Sequence, residues 1–194
     1  MFRFLIIALY FTIAVSSDYS PVKDLDLTQY AGRWYQVYLN KFDTTFQGDC
    51  SCAVADYTLS GSTVDILNSQ INKDGSVGQI AGSAFYKQGN VGGELSVSLD
   101  GVPRVAPYWV IEIGPLLNNL YAYSIVSDDK KLSLFVLTRN VTEYYETYDD
   151  EVLKSLSNFG FTNIFNKPKT VSQVNCDYGR YDTGYQGFKT QDPL

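Results

Sequence analysis

The feature that most constrains this chain is a regular succession of short β-rich runs divided by turn signals. Extended segments are predicted at 34–39, 53–59, 63–68, 79–86, 94–99, 107–113, 120–126 and 131–138. Between them lie Ser60-Gly61-Ser62, Lys73-Asp74-Gly75, Gln88-Gly89-Asn90, Asp100-Gly101 and Asp128-Asp129-Lys130. These are residues that reverse a chain cheaply. The run from Glu94 to Leu99 alternates polar and apolar residues, as a strand with one wet and one dry face should. The 16 Tyr, 11 Phe and 15 Gly also suit strands and turns better than helices. Short connections make successive strands antiparallel neighbours, and closing the sheet removes its exposed edges. The predicted fold is all-β: an eight-stranded antiparallel up-and-down barrel.

One helix is predicted, at 142–158. Acidic residues fill its front, Lys154 comes later and Gly160 follows as a stop, which suits the helix dipole. Val152, Leu153, Leu156 and Phe159 give it one apolar face, so it should lie against the outside of the barrel.

Residues 1–17 read as a cleavable export signal. Arg3 supplies an early positive charge, residues 4–15 are apolar apart from Tyr10 and Thr12, and small residues at 14, 16 and 17 precede Asp18. The apolar run is about a dozen residues, short of the roughly 20 a spanning helix needs. The expected layout is a signal peptide at 1–17, one domain at 18–176 and a flexible Tyr- and Gly-rich tail at 177–194. The expected location is extracellular or the lumen of a secretory compartment.

Of 15 Lys and Arg, Arg3 leaves with the signal, and the rest face 21 Asp and Glu. Such an acidic chain repels nucleic acid and anionic membrane surfaces. There is no His, which excludes His-based catalysis and His-ligated metal. No cofactor and no metal are expected. In an oxidising compartment the three cysteines, Cys50, Cys52 and Cys176, should not all stay free. Cys50 and Cys52 are too close to bond to each other without strain, so a long-range bond to Cys176 leaves one over. That thiol is either buried and inert or a point of intermolecular or ligand attachment. Asn140-Val141-Thr142 is an N-glycosylation triplet whose residues can also cap the helix.

Several motifs then point the same way. Gly32-Arg33-Trp34 at the start of the first strand resembles the first signature of the lipocalin family. Leu137-Thr138-Arg139-Asn140 resembles its third, an Arg ending the eighth strand. Thr44-Thr45-Phe46, Pro107-Tyr108-Trp109, Tyr121-Ala122-Tyr123-Ser124 and Gln173-Val174-Asn175-Cys176 resemble the apolipoprotein D-like and bacterial-type lipocalins. The resemblance reaches nearly to Cys176 from the end of the signal. It implies a lipocalin calyx with a disulfide between Cys52 and Cys176, Cys52 standing five residues before Tyr57. It implies structural roles for Gly32, Trp34 and Arg139, with the Arg lying across the Trp ring at the closed end. Cys50 has no counterpart. The family's Thr-Asp-Tyr before the seventh strand is replaced by residues 113–119, so the contacts that signature makes are not carried over.

The resemblance also sets the phase of the strands, turning Tyr57, Ile66, Ile80, Leu95, Val97, Tyr108, Val110, Phe135 and Leu137 inward as a ligand-binding set. Tyr38 shares the parity of Trp34 and joins them. The expected function is a secreted carrier, not an enzyme, for a small hydrophobic ligand: a fatty acid, sterol, isoprenoid or tetrapyrrole. Such a protein touches a membrane only in passing, to collect ligand. Two other readings are a lipid-modifying enzyme on the same barrel and an interaction protein. The latter would act through its loops and Cys50, including as a disulfide-linked or non-covalent homo-oligomer.

Overall fold

The structure, a computed structural model, describes residues 19–181; the predicted export signal and the last part of the predicted tail lie outside the described residues. After a short helix α1 (Leu27–Tyr30) come β1 (Gly32–Leu39), helix α2 (Lys41–Gln47), β2 (Cys50–Ser60), β3 (Thr63–Asn72), β4 (Val77–Phe85), β5 (Glu94–Leu99) and β6 (Ala106–Ile113). A small hairpin of β7 (Leu116–Leu117) and β8 (Leu120–Tyr121) precedes β9 (Tyr123–Ser127) and β10 (Leu134–Thr138). The helical segment runs from α3 (Val141–Glu143) through a π-helical stretch (Tyr144–Tyr148) into α4 (Asp149–Phe159), and β11 (Lys169–Thr170) follows.

Strands β1 to β6, β9 and β10 pair in sequence, all antiparallel, and β10 returns to pair with β1. The result is a closed eight-stranded barrel. Its meander puts the β1–β2, β3–β4, β5–β6 and β9–β10 connections at one end, the mouth. The other end is closed by α1.

Local chemistry explains where elements stop. The predicted strand at 120–126 is broken at Ala122 because Asn118 and Asn119, at φ 51° and 66°, make a tight hairpin turn before it. The next strand starts at Leu134, later than predicted. The Asp128 carboxylate accepts the N–H groups of Lys130 (2.7 Å) and Ser133 (2.6 Å) and so holds the intervening chain as a loop. Asn140 Oδ1 caps the helical segment by accepting the Glu143 N–H at 3.1 Å. Gly160, at φ 91°, ends it in the left-handed region where only Gly is unstrained. Val152, Leu156 and Phe159 are buried against Val37, Ile125 and Val136 on the outside of the barrel.

The seam between β1 and β2 is incomplete. They pair from Gly32 to Tyr35 and then diverge towards the mouth. The C-terminal chain fills the gap. Beyond β11, Val171 N–H donates to Val37 O (2.8 Å) and Cys52 N–H to Ser172 O (2.7 Å), while the Gln173 amide donates to both Gln36 O (2.8 Å) and Ala53 O (2.9 Å). The Cys52–Cys176 disulfide then fastens the segment, as the family resemblance implies. Cys52 sits in a β-bulge between Ser51 and Val54, at φ 55°. The boundary read at Cys176 is too early. Tyr178 packs its ring 5.1 Å from Tyr35, and Tyr181, 4% exposed, donates its hydroxyl to Cys52 O at 2.6 Å. Two aromatic anchors without regular spacing leave no periodic signal, which is why the sequence made this stretch look loose.

At the mouth, α2 is held by buried polar groups. Asn40 Oδ1 accepts the Asp43 N–H (2.9 Å), Asn40 Nδ2 donates to Leu132 O (2.7 Å), and Asp43 Oδ2 accepts the Leu134 N–H (2.7 Å). Burial, with Asp128 nearby, pushes the Asp43 carboxyl up from 3.8 to about 7.

Two outcomes follow for stability. Replacing Cys52 and Cys176 together by Ser removes a cross-link spanning 124 residues and should lower the unfolding free energy by about 4–5 kcal/mol in denaturant titrations. It should also expose residues 169–181 to protease. Because the folded protein favours protonated Asp43, that group's stabilising share is complete below 3.8 and is lost as pH rises through about 7. Asp43→Asn, neutral throughout, should therefore gain on the wild type between pH 4 and pH 8, by about 2–4 kcal/mol at the upper end in urea unfolding.

Candidate ligand-binding site

The interior is layered from the closed end upward. Gly32 enters β1 at φ 105°, a conformation a side chain would strain, and lets the chain turn sharply from α1 into the barrel. That turn brings Trp34, fully buried, across the floor, where its indole N–H donates to Tyr30 O at 2.9 Å. The Arg139 guanidinium lies over the Trp34 ring, 3.5 Å from its centre. It donates to the carbonyls of Arg33 (2.6 Å), Ala31 (2.8 Å) and Tyr30 (3.0 Å). Burial lowers its pKa to about 10, so it remains charged at neutral pH.

Above this plug is a layer of phenols. The Tyr30 hydroxyl meets those of Tyr108 (2.8 Å) and Ser124 (3.0 Å), and Tyr57 meets Tyr108 at 3.1 Å. Burial raises the pKa of all three tyrosines, so they offer hydroxyls and no charge. Leu27, Val64, Ile66, Ala84 and Leu95 complete the layer around a void with room for about one water. The lower half of the barrel is packed.

The upper half is not. Tyr108, Val97, Phe135 and Ile80 all face inward by register, yet each keeps part of its surface exposed. The lumen above the phenols is therefore open through the mouth. Of the ten residues read as a ligand set, Tyr57, Ile66, Leu95, Val110 and Leu137 belong to the packed interior, with Val97, Tyr108 and Phe135 against it. Ile80 shares their face one step nearer the mouth, opposite Asn68.

Tyr38 does not share that face, and its placement corrects the parity argument. The register between β1 and β10 shifts between Gln36 and Tyr38, which makes Val37 an extra residue. One inserted residue reverses the side of everything after it. Tyr38 thus points out to the helix, donates its hydroxyl to Asp149 Oδ1 at 2.9 Å and packs near Tyr144.

Polar residues that sequence reasoning passed over line the mouth side of the lumen. Asn68, Gln70 and Asn72 continue the inward face of Ile66 along β3, and Gln36 shares the inward face of Trp34 opposite Leu137. Gln47, from α2, reaches Gln36 Oε1 at 3.5 Å, and Gln70 Nε2 donates to Gln47 O at 2.9 Å. The parity that marked Ile66 also marked Asn68 and Gln70. Their polarity made them look solvent-facing. Tyr30, outside any strand, gave no such signal.

Cys50 pairs with Asn72 and therefore faces the inner side at the rim, half-buried, with Gln47 Nε2 3.5 Å from its sulfur. Burial raises its pKa above the ordinary thiol value, which keeps it protonated at neutral pH and works against nucleophilic use.

This architecture has relatives. The lipocalin-like domain family model matches residues 25–166. Apolipoprotein D of Macaca fascicularis is 33% identical over 165 residues, covering 80% of this chain and 82% of that protein. The match to apolipoprotein D of Cavia porcellus is 34% over 93 residues and spans about half of each chain, 47% of this one and 48% of that. The outer membrane lipoprotein Blc of Vibrio cholerae is 28% identical over 132 residues, 67% of this chain and 74% of that one. Among solved structures, insecticyanin of Manduca sexta superposes with a TM-score of 0.61 at 19% identity, covering 84% of this chain and 89% of its own. Apocrustacyanin C1 gives 0.60 at 20%, covering 79% and 83%. At those identities the structures speak for the fold alone. With its closed eight-stranded barrel, outer helix and domain match across most of its length, the chain belongs to the lipocalin family.

Proposed function

We propose that this lipocalin is a secreted carrier that holds one small hydrophobic molecule in the upper lumen. The observation that carries the reading is the open upper half. Ile80, Val97 and Phe135 face inward by register, and each keeps part of its apolar surface accessible above the packed layer. A barrel of this strand number is wide enough for one small ligand. Each 100 Å² of apolar ligand surface removed from water there contributes about 2.5 kcal/mol. The phenol layer under Tyr108 sets the depth to which a ligand descends. Export is supported by the sequence of residues 1–17 and by the disulfide, and the Asn140 triplet is the expected glycan site.

Titrating a fatty acid, a sterol, an isoprenoid and a tetrapyrrole against the fluorescence of Trp34 and Trp109 tests the reading. At least one class should bind with a dissociation constant on the order of 1 μM or lower. Val97→Trp, which fills the lumen, should weaken that binding at least about tenfold by calorimetry while the protein stays folded. Failure of all four classes to bind would overturn the proposal.

A further inference from the structure

The strand-borne lining of the lumen has an unusual polarity: it is polar in part and neutral throughout. The inward positions on β3 end in Asn68, Gln70 and Asn72, and those on β1 include Gln36, with Gln47 reaching in from α2. Val97 on β5 and Phe135 on β10 also face inward by register. Every inward strand position of the barrel, from Trp34 on β1 round to Leu137 on β10, has a neutral side chain. Arg139, the cation of the floor, lies beneath the phenol layer and is committed to main-chain carbonyls.

Within this wall one group is unsatisfied. Gln36 is 7% exposed, and its Nε2 has no hydrogen-bond partner in the protein. Its Oε1 has only the long contact to Gln47. A buried amide donor left unpaired is costly, and proteins rarely keep one without a reason. Gln36 stands one inward step above Trp34, beside Leu137, at the top of the packed floor.

We infer that the lumen selects uncharged ligands bearing a carbonyl or hydroxyl oxygen, and that Gln36 donates to that oxygen from the carboxamide wall. The inference rests on the carrier reading above. A carboxylate drawn to the same depth would lose its hydration and meet no cation, whereas a ketone or alcohol loses little and supplies the missing acceptor.

The test uses the full-length secreted protein at pH 7.4 and displacement of the neutral probe N-phenyl-1-naphthylamine. The competitors are dodecan-2-one, dodecan-1-ol and dodecanoate. The ketone and the alcohol should bind at least about tenfold tighter than the carboxylate. Gln36→Leu should lower the ketone's affinity by about tenfold relative to that of the naphthylamine, which offers no acceptor oxygen. Equal or tighter binding of dodecanoate overturns the inference. So does an unchanged ketone affinity in folded Gln36→Leu, which would mean that a resident water serves the amide. If Gln36→Leu does not fold, Gln36→Met and the wild-type comparison of the three competitors decide. Should the naphthylamine itself not bind, direct calorimetric titration of the three competitors decides by the same ranking, and binding by none of them overturns the inference. Should it bind while the competitors are not discriminated, only the present inference falls.

Discussion

The structure depends on one stacked cation. The Arg139 guanidinium lies over Trp34 and takes up carbonyls from α1, from the turn after it and from β1. The sheet alone does not bring these parts together. β10 supplies the Arg, β1 the Trp, and α1 the carbonyls that its short helix leaves unpaired. Each partner answers a need of another: the Trp ring shields the charge from water, the carbonyls satisfy its N–H groups, and the cation satisfies them in return. A buried charge with fewer partners would be a liability. Because this knot seals the bottom, the layers above it can be stacked in order of decreasing packing. Trp34 comes first, then the phenols, then an open lumen.

That ordering separates two jobs within one barrel. The lower half is dense and gives stability, with hydroxyls arranged so that they satisfy one another. The upper half keeps inward side chains partly accessible, and one of its amide donors, Gln36 Nε2, is unsatisfied. Native proteins depart from full satisfaction mainly where something else is to be accommodated.

Much of this was legible in the sequence. Strand spacing and turn residues were enough for an eight-stranded barrel, because a period of two and short reversals leave few alternatives. The helix with its acidic start and Gly160 stop was legible for the same reason. What could not be read was anything that breaks a period. The extra residue at Val37 carries no marker in composition, yet it moves Tyr38 from the lumen to the helix. Tyr178 and Tyr181 hold the tail by single contacts without repetition. Gln36, Asn68 and Gln70 were on the correct parity but of the wrong polarity for an apolar cavity. Hydrophobic patterning assumes that inside means apolar, and it fails where the inside is half wet.

The bulge at Cys52 has a consequence for how the thiols are sorted. Two cysteines separated by one residue in a regular strand lie on the same side of the sheet. In β2 they do not: Cys50 shares the inner face with Asn72, while Cys52 packs outside with Tyr35, Val54 and Tyr181. The sheet itself stands between Cys50 and Cys176. In the closed barrel Cys176 therefore has one cysteine on its own side of the sheet, and strand geometry alone distinguishes the two nearly adjacent thiols. The strain of φ 55° at Cys52 is the cost of that discrimination.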